Sequence, residues 1–294
     1  MRRGPRPQRV HNHSTRRARS AVMLVIAGLL VLTGWTGARG VHAAGNHANA
    51  RASSITDIIN LPYPPMEFSK PGSSKVIGFD IDMATAIAKK LGDSISFQNV
   101  LFEQIIPSVK THRGDFAWTA VFDLKAREQT LSFIDYFKTG SQVYTSTANA
   151  GKYKTIKSLC GQTVAVPKGT SFGQVVGRLS KANCGSSPMK QVTVASPTEQ
   201  NLQIREGRAV AAISGPETVL YLQKQNPGKY ALIGPIVEPD YYAVVFAKNN
   251  TALMNTVFAA MKAAWKDGTY RRILAKWGLG GAAIPQPLIN HALH

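Results

Sequence analysis

The alternation of short β-rich runs with helical segments is the feature that most constrains this fold. Runs such as Ile55–Ile59, Thr163–Val166 and Ala209–Ile213 precede segments that carry apolar residues at helical spacing. Such alternation is typical of α/β proteins, in which helices cover the faces of a sheet. The sequence therefore predicts an α/β fold, with further buried strands at Phe116–Val121 and Val192–Ala195.

The end of the sequence indicates how the chain is divided. Two amphipathic helices, Thr251–Trp265 and Thr269–Trp277, follow the predicted strand Tyr241–Phe246 and have no sheet of their own. Their apolar faces need a partner, and the economical solution is that the chain returns to its first unit. Two crossings then join two lobes at a hinge, with a ligand-binding cleft between them. The predicted boundaries are 52–143 plus 246–280 for lobe 1, 148–240 for lobe 2 and 281–294 for a C-terminal tail.

Two helices can be placed in the first half of the chain. Met83 and Ile87 lie on one face of a helical pattern, and Gly92 stands where a C-terminal cap belongs. A second amphipathic pattern occupies residues 102–109. Because proline suits the first turn of a helix, Pro107 predicts that this second helix begins late.

The N-terminus has the composition of an export signal. Residues 1–20 are basic and polar, residues 21–35 are almost continuously apolar, and small residues follow. This order is that of a secretory signal peptide, residues 1–43, with cleavage after Ala43 or, as a second candidate, after Ala50. The apolar run is shorter than the ~20 residues that a membrane span prefers, and an uncleaved anchor is the alternative. We therefore expect a periplasmic or otherwise extracytoplasmic protein.

The distribution of charge excludes one class of partner. The chain carries a net charge of +19, and eight arginines in residues 1–43 leave +11 that is scattered over the remainder. Nucleic-acid binding needs clustered basic residues and a recognisable motif, and the sequence contains neither. We therefore expect no nucleic-acid partner.

Cys160 and Cys184 are the two cysteines of the chain. Both follow the signal segment, and an oxidising compartment favours a disulfide between them. Closing this loop contributes ~3 kcal/mol on the chain-entropy model. Two buried free thiols are the alternative. Without a nearby histidine, the pair does not indicate a zinc site, so no metal is expected.

Several short segments, taken in order and spacing, resemble a known family. They are Tyr63–Phe68 (YPPMEF), Gly78–Asp82 (GFDID) followed by Ala84–Gly92, Ile105–Val109 (IIPSV), Gly114-Asp115, Arg127, Pro167–Ser171 (PKGTS), Gly207-Arg208, Lys266–Tyr270 (KDGTY) and Lys276–Gly278 (KWG). Together they resemble the type-3 extracellular solute-binding proteins, which are the amino-acid receptors of bacterial ABC importers. The resemblance covers about residues 52–280. Leu159–Gly161 with the later Cys184 resembles a subgroup that has one disulfide in the second lobe.

This resemblance implies both a fold and a function. The fold is the two-lobed, type II periplasmic-binding-protein architecture, in which two hinge strands join lobes that are each a sheet flanked by helices. The implied function is capture of an amino acid or related small carboxylate by lobe closure, followed by delivery to the ABC transporter permease in the membrane. We expect a monomer with no cofactor and no catalytic residue.

Arg127, Thr170 and Ser171 are the residues that we expect to hold a carboxylate. A guanidinium is a planar fork of donors that matches a carboxylate, and the family's arginine at this place grips the ligand's α-carboxylate. Thr170 and Ser171 precede a predicted helix, whose free N–H groups and dipole favour an anion. The alternative for Arg127 is an ordinary surface arginine, and the alternative for Thr170 and Ser171 is helix capping alone.

Four aromatic residues are candidates for the walls of the cleft. Tyr63 and Phe102 resemble the family positions that flank the ligand, and Trp118 and Phe122 are further candidates. An aromatic ring supplies a rigid apolar wall and can face a cation. Ordinary core packing is the alternative, and for Trp118 it is the favoured one.

The chain departs from the family where the ligand's ammonium is normally held. Gly215 stands where many members have an aspartate, and Glu217, two residues later, is the candidate substitute. Asp123 is a further possible cation partner, although a turn-forming aspartate is the favoured interpretation. Because an ammonium buried without a carboxylate is costly, the expectation of an amino-acid ligand is weakened while that of a carboxylate survives.

Two other functions use the same fold. Cyclohexadienyl and arogenate dehydratases need a carboxylic acid as proton donor, for which Glu67, Glu103 and Glu217 are available. The second alternative is the receptor module of a sensor system, which is usually fused to a membrane span and a signalling domain. The sequence contains no hydrolase, metalloprotease or phosphate-loop motif, so a binding protein is favoured.

Overall fold

The computed structural model describes residues 53–294. The signal peptide, its two cleavage candidates and the alternative membrane anchor lie outside this part of the chain and remain predictions. Among the described residues, no helix has both the length and the apolar character needed to cross a membrane.

Strands and helices alternate along the described chain. The strands are β1 (Ser54–Ile59), β2 (Phe68–Ser69), β3 (Val76–Ile77), β4 (Ser94–Asn99), β5 (Ala117–Phe122), β6 (Leu131–Ser146), β7 (Thr163–Pro167), β8 (Lys190–Val194), β9 (Ala211–Ser214), β10 (Tyr230–Ala247) and β11 (Leu288–Ile289). The helices are α1 (Phe79–Leu91), α2 (Phe102–Lys110), α3 (Lys125–Glu128), α4 (Thr147–Ala150), α5 (Phe172–Asn183), α6 (Pro197–Arg205), α7 (Pro216–Gln225), α8 (Thr251–Lys266) and α9 (Thr269–Trp277), with short 3₁₀ turns at Ile156–Leu159 and Gly280–Ala282. This mixture of sheets flanked by helices confirms the predicted α/β class.

Two long antiparallel strands, β6 and β10, organise the main sheet. They pair over most of their length, and the sheet order is β5-β10-β6-β9-β7-β8, with β11 also paired to β6. β1 and β4 form a separate parallel pair, which is joined to β5 through the N–H of Ile58 and the carbonyl of Phe116. We call residues 147–229, between the two long strands, the inserted segment, and residues 53–130 and 248–294 the flanking segments.

The C-terminal helices α8 and α9 pack against α1. Their buried residues include Val257 and Leu274, which lie in the same apolar core as Ile87 of α1. Gly92 ends α1 in the left-handed conformation, with φ of 78°, as the sequence predicted. The chain thus returns from β10 to its first flanking segment. The exact lobe boundaries stay a prediction.

Cys160 and Cys184 form a disulfide, with a distance of 5.1 Å between their Cα atoms. The bond ties the start of the inserted segment to the end of α5. The predicted pairing is therefore confirmed.

One expectation from the sequence was wrong, and one strand is longer than predicted. α2 begins at Phe102 and contains Pro107 in its interior. Proline removes one backbone hydrogen bond from the helix, and the burial of Ile105 and Val109 stabilises the helix in spite of this loss. The strand expected at Tyr241–Phe246 is present and lies within the second half of the longer strand β10. Its first half was missed because exposed residues interrupt its apolar pattern.

Candidate functional site

One cavity is lined by both the first flanking segment and the inserted segment. Six of the eight predicted ligand-binding residues line it: Tyr63, Phe102, Phe122, Arg127, Thr170 and Ser171. They come from the loop after β1, the start of α2, the end of β5, α3 and the loop before α5. The fold therefore brings together residues that are up to 108 positions apart in the sequence, from Tyr63 to Ser171.

Arg127 presents a guanidinium without an ionic partner. Its Nη1 donates a hydrogen bond to the carbonyl of Phe122 at 2.9 Å, and no salt bridge to it occurs within residues 53–294. Burial lowers the pKa of Arg127, and the nearby charge of Asp123 opposes this shift. A partly buried cation with unused donors is costly unless an anion completes it.

The N-terminus of α5 lies on the same cavity. Thr170 Oγ1 donates to the carbonyl of Pro167 at 2.8 Å, and the hydroxyl of Ser171 makes no capping hydrogen bond. Within the described chain, the backbone N–H groups of Ser171 and Phe172 have no protein acceptor. Free N–H groups at the positive end of a 12-residue helix suit a carboxylate.

Aromatic rings form much of the cavity wall. Phe122 contacts Phe172 edge-on, with ring centroids 5.6 Å apart, and Tyr242 at 4.9 Å. Trp118 is absent from the cavity lining, since it is fully buried against Tyr136 in the core. Core packing, which the sequence favoured for Trp118, is therefore what the structure shows.

A pair of buried acids lies beside the cavity. Glu67 lines the cavity and accepts a hydrogen bond from Thr119 at 2.8 Å, while Asp80 accepts from Tyr136 and from the N–H of Ala120, each at 2.9 Å. Burial raises the pKa of Asp80 to about 7 and raises that of Glu67 well above its ordinary value, with Asp80 adding to the second shift. One oxygen of each carboxyl, Glu67 Oε2 and Asp80 Oδ1, has no hydrogen-bond partner in the described structure.

Glu217 is buried next to the cavity rather than in its lining. Its Oε1 accepts from the Tyr242 hydroxyl at 3.0 Å and the Tyr63 hydroxyl at 3.4 Å, and its Oε2 accepts from Thr139 at 3.0 Å. Burial raises the pKa of Glu217. A Cβ atom built on Gly215 would lie 1.9 Å from Glu217 Oε1. The carboxylate therefore occupies the space that a side chain at position 215 would fill.

Asp123 is part of a different acidic cluster, outside the cavity lining. It is fully buried near Asp135, and burial, reinforced by Asp135, raises its pKa to about 9. Burial also raises the pKa of Asp135 to about 7. Within the described residues, no group of three or more histidine, cysteine or acidic side chains is arranged to hold a metal ion.

Some lining residues were not singled out from the sequence. Lys168 lines the cavity, and its Nζ lies 2.9 Å from Glu103 Oε1, so this pair joins the inserted segment to α2. Lys168 belongs to the segment Pro167–Ser171 (PKGTS) that resembles the family, so the sequence could have indicated it as a cavity residue. Asn60, Ala195 and Pro197 also line the cavity, and no local pattern distinguishes them.

Comparison with known proteins identifies the family. Residues 55–280 match the bacterial extracellular solute-binding proteins, family 3. The chain belongs to this family.

Relatives and solved structures agree with this membership. ABC transporter arginine-binding protein 1 of Escherichia coli K12 is 25% identical, over 77% of this chain and 91% of its own length. The arginine-binding protein ArgT of Corynebacterium glutamicum is 26% identical, over 85% and 82%. The structure of an ancestral arginine-binding protein bound to arginine superposes with a TM-score of 0.71 at 27% identity, covering 76% of this chain and 98% of that one. The same ancestral type bound to glutamine gives 0.70 at 27% identity, covering 77% and 98%.

These matches confirm the two-lobed type II fold and the class of function. The chain is an amino-acid-type solute-binding protein of an ABC importer system, and proteins of its family act outside the cytoplasm. The identity of the binding residues remains a prediction.

Proposed function

We propose that this protein captures an α-amino acid, with L-arginine as the first candidate, through its carboxylate. Arg127 and the free N–H groups at the start of α5 would grip that carboxylate from two sides of the cavity. The unpaired guanidinium of Arg127 is the observation that carries the proposal, because it is partly buried and lacks an anion among the described residues.

The walls of the cavity favour a ligand with a cationic or polar side chain. Tyr63 and Phe102 line the cavity with aromatic rings, which attract a guanidinium or an ammonium through their faces. Glu67 adds a carboxyl group to the same lining. The arginine-binding relatives support arginine as the first ligand to test, and the L-cystine-binding protein of Escherichia coli K12, 26% identical over 73% of this chain and 79% of its own length, shows that related receptors differ in their ligand.

The remaining parts of the proposal concern how the protein works in the cell. It is exported by the signal peptide of residues 1–43, acts as a monomer and delivers its ligand to a membrane permease. Closure of the two lobes, 52–143 plus 246–280 and 148–240, around the ligand produces the form that the permease recognises. Because the ligand would contact both lobes only when they are closed, binding shifts the equilibrium toward that state.

The test is a ligand screen on protein that has been unfolded and refolded to remove any bound solute. Thermal shifts are measured against the common amino acids, their analogues without the amino group, and prephenate. Hits are then measured by calorimetry with Arg127→Ala and, as a matched control, Arg271→Ala, an exposed arginine on α9. We expect Arg127→Ala to lose ~100-fold or more in affinity, because truncating one partner of a buried charge pair costs ~2–5 kcal/mol.

Two outcomes would contradict the proposal. If folded protein binds neither amino acids nor carboxylates, Arg127 is not a carboxylate clamp. If prephenate or arogenate is converted to product, the protein is an enzyme rather than a receptor, and Glu67 becomes the proton donor to test because Glu103 is paired with Lys168, which lowers its pKa.

A further inference from the structure

Glu217 connects four parts of the molecule that meet beside the cavity. The carboxylate itself stands on the first turn of α7 in the inserted segment. Its hydroxyl donors come from Tyr63 in the first flanking segment, Thr139 in β6 and Tyr242 in β10. A single buried group is thus held by hydrogen bonds from both sides of the cavity and from both long strands.

Tyr63 is the member that crosses the cavity. Its ring lines the cavity, and its phenol oxygen accepts from the N–H of Gly215 at 3.1 Å and lies 3.3 Å from the Ser214 hydroxyl. The same oxygen is 3.0 Å from the Tyr242 hydroxyl. The outer end of this wall residue is therefore fixed to the inserted segment by several hydrogen bonds at once.

Gly215 is required here by space rather than by backbone conformation. Its φ of −63° is ordinary for any residue. A Cβ at this position would lie 1.9 Å from Glu217 Oε1 and 2.4 Å from the Tyr242 hydroxyl. Because Gly215 has no side chain, there is space for the carboxylate of Glu217.

Separation of the two segments would break this network. Withdrawing Tyr63 leaves Ser214, the N–H of Gly215 and Glu217 without that partner, and a buried polar group that loses its partner is destabilised. These hydrogen bonds therefore favour the arrangement of the two segments seen in the structure.

We propose that Glu217 is a positioning residue that holds Tyr63 against the inserted segment and biases the ligand-free cleft toward closure. On this inference Glu217 does not bind the ligand's ammonium. Both carboxylate oxygens are already occupied by hydroxyl donors, and the residue lies outside the cavity lining.

The main experiment is small-angle X-ray scattering on the ligand-free protein, whose result does not depend on the proposed function. We expect Glu217→Ala, Gly215→Ala and Tyr63→Phe each to give a larger radius of gyration than the wild type. Tyr153→Phe is the matched control, since it removes a buried tyrosine hydroxyl that bonds to Gln162 within the inserted segment.

A second arm uses affinity and rests on the proposed function. L-Arginine and 5-guanidinopentanoic acid, which lacks the amino group, are titrated into the wild type and Tyr63→Phe and Glu217→Ala. Loss of these hydrogen bonds should weaken both ligands by a similar factor, roughly tenfold.

Two results would overturn the inference. In the first, the variants scatter as the wild type does in the absence of ligand. In the second, Glu217→Ala weakens arginine but leaves the analogue unchanged, which would make Glu217 a contact of the ammonium. If neither compound binds the wild type, the proposed ligand is wrong, and the scattering arm still decides the role of Glu217.

Discussion

Two buried charged groups, Arg127 in the cavity lining and Glu217 beside it, are partnered in opposite ways. We call these groups, with the residues around them, the two ends of the site. At one end, Arg127 keeps unused donors, and the N–H groups at the start of α5 are free. At the other end, Glu217 is surrounded by the hydroxyls of Tyr63, Tyr242 and Thr139. The first end needs an external anion, whereas the second is complete within the protein.

On the proposed function, this difference predicts which end contributes more to ligand affinity. A site with unsatisfied donors gains most from a ligand that supplies acceptors, so the Arg127 end should dominate affinity. The carboxylate of Glu217 already accepts hydrogen bonds from three hydroxyl groups, so an ammonium would add little stabilisation. We expect this carboxylate to fix the position of Tyr63 in the cavity wall instead.

The largest effect is expected from removing the fork geometry at the first end. Arg127→Lys keeps the positive charge but loses the planar pair of donors, and we expect ~100-fold weaker binding of the ligand found in the screen, close to the loss in Arg127→Ala. Calorimetry on both variants measures this. Binding by Arg127→Lys at the wild-type affinity would mean that only charge is used at this end, and the contrast between the two ends would weaken.

A second prediction concerns the space at the other end. Gly215→Ala introduces a Cβ that collides with Glu217 Oε1, so we expect a loss of ~2 kcal/mol in the free energy of unfolding, as for overpacking in a core. In a Glu217→Ala background, Gly215→Ala should lower the free energy of unfolding by clearly less, because the nearest colliding atom, Glu217 Oε1, is absent. Chemical denaturation of the four proteins in this cycle measures the coupling. Equal losses in both backgrounds would show that Gly215 and Glu217 are independent.

Much of the Arg127 end was predictable because each residue carries a local signal. Arg127 lies in a recognisable turn, and Thr170 and Ser171 precede an amphipathic helix, so short-range pattern was sufficient. The α/β fold followed from alternating strands and helices for the same reason. The length of β6 and β10 could not be predicted from the sequence. Exposed positions interrupt the apolar pattern of β10, and the extent of the strand is defined only by its pairing with β6.

The Glu217 end could not be derived in the same way. The sequence offered Glu217 as a substitute for the missing aspartate but gave no direction for its side chain. Its environment is made by Tyr63, Thr139 and Tyr242, which are far apart in the chain and meet only after folding. Burial of Trp118 likewise depends on Tyr136 and the rest of the core.

The acids behind Arg127 predict a dependence of stability on pH. Burial raises the pKa of Asp123 to about 9 and of Asp135 to about 7. A carboxyl whose pKa is higher in the folded state stabilises the fold at low pH. That stability is lost as pH rises from the unfolded pKa near ~4 toward the folded values of 7 to 9.

Denaturation at pH 5, 7 and 9 tests this expectation. The free energy of unfolding should fall by ~1 kcal/mol per pH unit across part of this range, and Asp135→Asn should flatten the decline. Glu217→Gln is the control from the satisfied end of the site, and it should leave the slope from Asp123 and Asp135 in place. A stability that is constant or rises with pH would show that these acids are ionised in the folded protein.

The smallest effect is expected from the other bond that links the inserted segment to the first flanking segment. Lys168 and Glu103 form a salt bridge in which the lysine side chain is 65% exposed and the glutamate 32%. Exposed ion pairs contribute little, because water and salt screen them and both side chains lose freedom. We therefore expect Glu103→Gln to change ligand affinity by about twofold or less, with no change in ligand-free scattering. A different result would be that Glu103→Gln increases the radius of gyration of the ligand-free protein as much as Glu217→Ala does. Closure would then depend on the exposed salt bridge as much as on the buried hydrogen bonds of Glu217.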